Sequence, residues 1–147
     1  MLRKIWLIVG LVAVLSFGVV GAASADTVSG RGWLKALGYG VAKLDMTGDV
    51  NITGHGAGVI TIQGAKTIRV EGKGIRSENS DGVVVLRGVK GRVFIRGKNM
   101  TVKMAGGKID FIARGSGAAF LSGHGSYKTR HYQGIWTEDG VELPLGK

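Results

Sequence analysis

Between Leu44 and Val70 the apolar residues Leu44, Met46, Val50, Ile52, Ile60, Ile62, Ile68 and Val70 all fall at even positions. The polar residues Lys43, Asp45, Asn51, Thr61, Gln63, Thr67, Arg69 and Glu71 fall at odd ones, with Val41 and Val59 as exceptions. A period of two sends side chains to opposite faces of a strand, one dry and one wet. Glycines interrupt this pattern at 32, 40, 48, 56, 64 and 72, one every eight residues. A helix would repeat every 3.6 residues and would lose about 1 kcal/mol at each interior glycine relative to alanine. The pattern therefore predicts short strands joined at glycine corners, an all-β fold.

The spacing changes further along. Gly88, Gly97, Gly106 and Gly115 stand nine apart, and the apolar set switches parity from Val93 and Ile95 to Met100, Val102 and Met104, then to Ile109, Phe111 and Ala113. Between the two regions, 77–82 reads as a surface loop. Val83–Leu86 has no alternation and predicts a strand covered on both faces. Trp33, Leu34 and Leu37 are placed to begin a strand or cover one end of the core. Tyr127, Tyr132, Ile135 and Trp136 gather near the other terminus, and Glu138-Asp139-Gly140 predicts a hairpin turn into 141–145. This end reads as a terminal cap.

Two architectures fit. A β-solenoid, with coils stacked in parallel, is preferred because its corners impose no parity rule. The alternative is an antiparallel meander closed into a sandwich or barrel, which needs odd loops up to Val70 and even loops from Val93 to Ala113. A membrane-spanning barrel is disfavoured, because its strands need about 9–11 residues and these segments hold about five or six.

The N-terminus bears on location. A short basic start with Arg3 and Lys4 precedes an apolar run over 5–21, then Ala23-Ser24-Ala25. This has the form of a secretory signal peptide over 1–25, cleaved before Asp26, leaving 26–147 as a single all-β domain. An uncleaved membrane anchor is the alternative. Either places the domain outside the cytoplasm: periplasmic, cell-surface or extracellular.

Composition narrows the chemistry. The 147 residues include 27 glycines and no cysteine, which removes disulfides, thiolate metal sites and a cysteine nucleophile. The formal charge is +10, and losing Arg3 and Lys4 with the leader makes it +8. Such a protein is drawn to polyanions by salt-sensitive attraction. An exported location makes nucleic acid an unexpected partner and leaves anionic polysaccharide, teichoic acid or lipid headgroups.

The densest cationic stretch holds Arg87, Lys90, Arg92, Arg96, Lys98, Lys103, Lys108 and Arg114 against Asp110 alone. Arg87, Arg96 and Arg114 each precede a repeat glycine, so stacked repeats would align them along one rim as an anion-binding groove. The plainer reading is that these residues keep wet faces and edges soluble. His55 and His124 each stand in Gly-His-Gly, with His131 near the second, but no carboxylate or cysteine stands at ligand spacing and no metal is expected. Ser122, His124 and Asp110 form a poor triad signal, and Asp45, Glu71 and Asp110 are scattered singly. No cofactor is expected, and an enzyme is the least supported reading.

The corners Gly54/Gly56, Gly72/Gly74, Gly115/Gly117 and Gly123/Gly125 enclose His55, Lys73, Ser116 and His124. With an alternating strand after each, about 100 residues resemble the bacterial exported β-repeat proteins of the GIN type, described as adhesin heads. That family carries Gly-Ser-Gly at these corners and a longer repeat. The resemblance implies a solenoid and an envelope location, and it brings no catalytic or ligand residues. The expectation is a secreted or envelope-facing structural or binding module with a basic face. A self-associating surface protein is the alternative.

Overall fold

The computed structural model describes residues 32–146. Residues 1–31 and Lys147 lie outside the described residues, and with them the signal-peptide reading of 1–25. The rest is all-β. The elements are β1 (Gly32–His55), β2 (Val59–Glu78), β3 (Val84–Thr129), β4 (Gln133–Ile135) and β5 (Val141–Leu145). No helix occurs among the described residues.

All ladders between these strands are antiparallel, so the parallel coil-on-coil pairing expected from the repeat is not found among the described residues. Instead β1 and β2 form an outgoing arm and β3 a return arm. They are joined at 79–83, where the Asn79 Oδ1 accepts hydrogen bonds from the Asp81 and Val83 N–H groups at 2.9 and 3.0 Å. The surface loop predicted at 77–82 overlaps this reversal, with Ser77 and Glu78 instead ending β2.

Nearly every outgoing segment has two return-arm neighbours. Val50 pairs with Ile95 on one side and Ala113 on the other, and Leu44 pairs with Val102 and Ala119. Followed across the register, the ladders fall into two series. The first runs β4, 125–129, 32–38, 109–115, 48–54, 91–97, 67–73. The second runs β5, 117–123, 40–46, 100–106, 59–63, 84–87, 75–78. The chain crosses between series at each glycine corner. The strands are longer than predicted, 24 residues in β1 and 46 in β3, because pairing continues through the corners.

Dry residues from both series form one cluster. Leu34, Val50, Val93 and Phe111 of the first and Leu44, Ile62, Met100 and Leu121 of the second are all at most 1% exposed. No polar or charged side chain is buried among the described residues. Val83–Leu86 does alternate, contrary to expectation: Val84 and Leu86 are buried, and Val85 is half-buried on the wet side between Thr61 and Ser77.

The glycines meet in rows across the ladders. Gly48 lies between Gly97 and Gly115, Gly40 between Gly106 and Gly123, and Gly91 between Gly54 and Gly72. At Gly48 (φ +142°) an added Cβ would strike the Arg114 carbonyl oxygen, and at Gly115 (φ +145°) the Thr47 carbonyl oxygen. Neighbouring backbones pass too closely there for any side chain.

The C-terminal cap forms, in altered shape. Trp136 is 3% exposed, and its Nε1 donates to the Ser126 carbonyl at 3.0 Å. The Glu138–Gly140 turn is present, closed by a 3.1 Å bond from the Gly140 N–H to the Thr137 carbonyl. Its flanking strands do not pair with each other. β4 closes the first series and β5 the second, each against β3. Tyr132 and Ile135 stay exposed, and so does Leu37 of the N-terminal trio, while Leu34 is buried.

Gly48→Ala is expected to destabilise the fold by about 1–3 kcal/mol from backbone strain alone, with the carbonyl collision added to it. Gly107→Ala, where a Cβ meets nothing within 4 Å, should stay within about 0.5 kcal/mol of wild type. Chemical denaturation of both variants checks the contrast.

Candidate polyanion-binding face

Residues of the first series that point away from the core form rows readable from the register. One runs Trp33, Arg114, Asp49, Arg96, Thr67. The next runs Lys128, Lys35, Ile112, Asn51, Phe94, Arg69. A third holds Thr53, Arg92 and Glu71. Alternation explains the segregation: in 91–97 the core takes Val93 and Ile95, so Arg92, Phe94 and Arg96 must face outward.

Aromatic and cationic groups are in contact here. The guanidinium carbons of Arg69 and Arg96 lie 5.1 and 5.3 Å from the Phe94 ring centroid, within cation–π range. Asp49 stands between Arg96 and Arg114 in the register, with its Oδ2 3.9 Å from the Arg96 Nη2. Lys35 and Lys128 are directly opposite each other, an arrangement of like charges that destabilises a sheet unless a counter-charge lies over it. They border an open groove of about 500 Å³ lined also by Leu37, Tyr127, Gln133 and Ile135.

The eight cations of the basic stretch are distributed over the fold. Arg92, Arg96 and Arg114 share the first-series face. Arg87 belongs to the second series, opposite Val59 and Ile75. Its neighbour Gly88 donates its N–H to the Gly58 carbonyl, in the corner row of Gly106, whereas Arg96 and Arg114 adjoin the corner row of Gly48. The three repeat arginines therefore do not line up. Lys103 faces outward from the second series opposite Lys43, and Lys90 sits between His55 and Lys73. Lys98 and Lys108 are exposed beside the corner glycines Gly97 and Gly107.

Reading one stretch of sequence missed Lys35, Arg69 and Lys128, which the outgoing arm and the end of the return arm bring onto the same face. Their odd or even positions mark Lys35 and Arg69 as outward. Nothing local says which strands adjoin them.

The other candidates separate. The His55 Nε2 is 3.6 Å from the Asp110 Oδ2, whereas the His124 Nε2 is 3.3 Å from the Glu138 Oε2 and its ring is 5.3 Å from that of Tyr39. Ser122 donates its hydroxyl to the Glu138 carbonyl at 2.9 Å. Asp110 pairs with Leu37 and His124 with Tyr39, so Ser122, His124 and Asp110 form no relay. Asp45 accepts a 2.7 Å hydrogen bond from the Thr101 hydroxyl, and Glu71 lies 3.8 Å from Arg69. No three metal-ligating side chains cluster among the described residues.

Comparison with protein-family models, curated proteins and solved structures gives no match. The functional reading therefore rests on this geometry.

Phe94→Leu keeps a large apolar side chain but removes the ring under two arginines. It should cost about 0.5–1 kcal/mol for each of these exposed cation–π pairs. Combining Phe94→Leu with Arg69→Ala and Arg96→Ala in double-mutant cycles measures each coupling.

Proposed function

We propose that this protein is an exported structural module that holds an anionic envelope polymer across the outward face of its first ladder series. The class of ligand is an anionic polysaccharide, a teichoic-acid-like polymer or a lipid headgroup array. One observation carries the reading. Arg69, Arg92, Arg96, Arg114, Lys35 and Lys128 project from adjoining strands of one face, against Asp49, Asp110 and Glu71. Phe94, Ile112 and Trp33 lie among them, half-buried. Arginines supply bidentate contacts to carboxylate or phosphate, and the ring offers apolar surface to a sugar. Export rests on the reading of residues 1–25 as a leader. The finer architecture in this proposal is a two-arm ribbon wound into a solenoid-like body, with glycine corners on its flanks.

Binding of the purified protein to polygalacturonate and to neutral dextran, at low and physiological ionic strength, tests the reading. Affinity for polygalacturonate should fall about tenfold or more as salt rises, with dextran not retained. Reversing Arg96 and Arg114 together to Glu should weaken binding at least tenfold, whereas Arg87→Glu should change it less than threefold. Equal binding of both polymers, or equal losses for the two variants, would contradict the proposal.

A further inference from the structure

The two ends of the ladder series are finished differently. At one end β4 and β5 close both series, with Trp136 sealing the core between them. At the other end the last strands are 67–73 and 75–78, and among the described residues each pairs on one side only.

An open strand edge invites another chain, and proteins block such edges with charges aimed inward, prolines or bulges. Strand 75–78 is blocked. Arg76 and Glu78 stand opposite Leu86 and Val84, on the core-facing side, where a second strand would have to bury them. Strand 67–73 has no proline and no charge aimed inward: its charged residues Arg69, Glu71 and Lys73 all stand at the odd, outward positions, where they leave the apolar side of the edge open. Its pairing with 96–90 is unbroken, its inward residues are Ile68 and Val70, and both are only half-buried although they pack on the core. Register irregularities lie only at its two ends, between Ala65 and Thr67 and between Lys73 and Ile75. About 20 Å of regular apolar-backed edge is left open.

The strand is also complementary to itself. In an antiparallel two-fold pair centred on Val70, Arg69 of one copy faces Glu71 of the other, twice by symmetry, and Ile68 faces Gly72. Centring on Arg69 or Glu71 would set like charges opposite each other, which is destabilising. A centre between two residues would put outward side chains opposite inward ones, against the dry face of both copies. Centring on Gly72 would carry the pair around the corner into the blocked strand. Centring on Ile68 would pair only 67–69 before running into the irregularity at Ala65 and Thr67. The Val70 centre matches charge, face and strand length together.

We infer that this protein forms a symmetric dimer by pairing strand 67–73 with the same strand of a second copy, extending the first ladder series across the interface. Val70 lies on the two-fold axis, and the apolar inward rows of both copies become continuous. The outward rows containing Phe94 and Arg96 then continue across the junction as well. The dimer does not depend on polymer binding and forms without it.

Sedimentation velocity of the purified protein, without polymer and over a concentration series, tests this. Wild type should show a monomer–dimer equilibrium that survives 0.5 M salt, because backbone pairing and apolar contact dominate it. Arg69→Glu and Glu71→Arg should each raise the dimer dissociation constant about tenfold, since each turns two attractive cross-strand pairs into repulsive ones. The double variant should return to within about threefold of wild type. Both positions are exposed, so circular dichroism should show the fold unchanged. A wild-type monomer overturns the proposal, whether its 67–73 amides exchange freely or are protected by another segment of the same chain. A dimer indifferent to both single reversals overturns it too.

Discussion

Three backbones pass within contact distance of one another at each bend of this fold, and that close passage sets most of its architecture. Gly48 has Gly97 on one side and Gly115 on the other, and a side chain on the Gly48–Gly115 pair would occupy the space of a neighbouring carbonyl oxygen. Where Cβ atoms are excluded, a strand can change series without losing its ladder partners, so pairing runs unbroken through the corners. The dry faces of the two series then meet in one cluster, and burial of Leu34, Leu44, Val50, Phe111 and Leu121 is the main source of stability in a chain without disulfides.

The difference between the two arms has the same origin. The outgoing arm spaces its corner glycines by eight and keeps its apolar residues at even positions. From Gly115 to Gly123 the return arm also uses eight and its apolar residues stay odd. From Gly88 to Gly115 it uses nine and changes parity at Gly97 and Gly106, with the extra residue accommodated in the bend. Asn99 shows how. It adopts φ +53° just beyond Gly97, and its N–H donates to the Thr47 hydroxyl of the adjoining arm at 2.9 Å. The two arms stay in register because segment and bend together match the same corner rows.

Strand type, the dry face, the surface loop near 77–82 and the sealing role of Trp136 were legible because each depends on residues close in sequence. Parity and spacing were legible too, but their meaning was not. A parity rule for consecutive strands presumes that consecutive strands are neighbours, and here Asn51 lies between Phe94 and Ile112. That interlacing is a non-local property with no short-range signature, so the fold read as parallel coils or as a meander. The cationic face was only half legible for the same reason. Arg92, Arg96 and Arg114 come from the basic stretch, whereas Lys35, Arg69 and Lys128 reach the face from elsewhere, and Arg87 leaves it for the second series. The placement of charge follows the core: in each strand the residues not claimed by the dry face point outward, and in this chain they are mostly lysine, arginine and small polar groups.

Interlacing of the two arms is the central claim, and cross-strand nuclear Overhauser contacts of Asn51 test it most directly. Interlaced antiparallel arms place the Asn51 backbone against Phe94 on one side and Ile112 on the other, about 4.8 Å between adjacent strands. Strong backbone contacts from Asn51 to both residues are the predicted result. Strong contacts from Asn51 to Lys35 and Thr67, which a parallel stack of sixteen-residue coils would bring alongside it, would contradict the account.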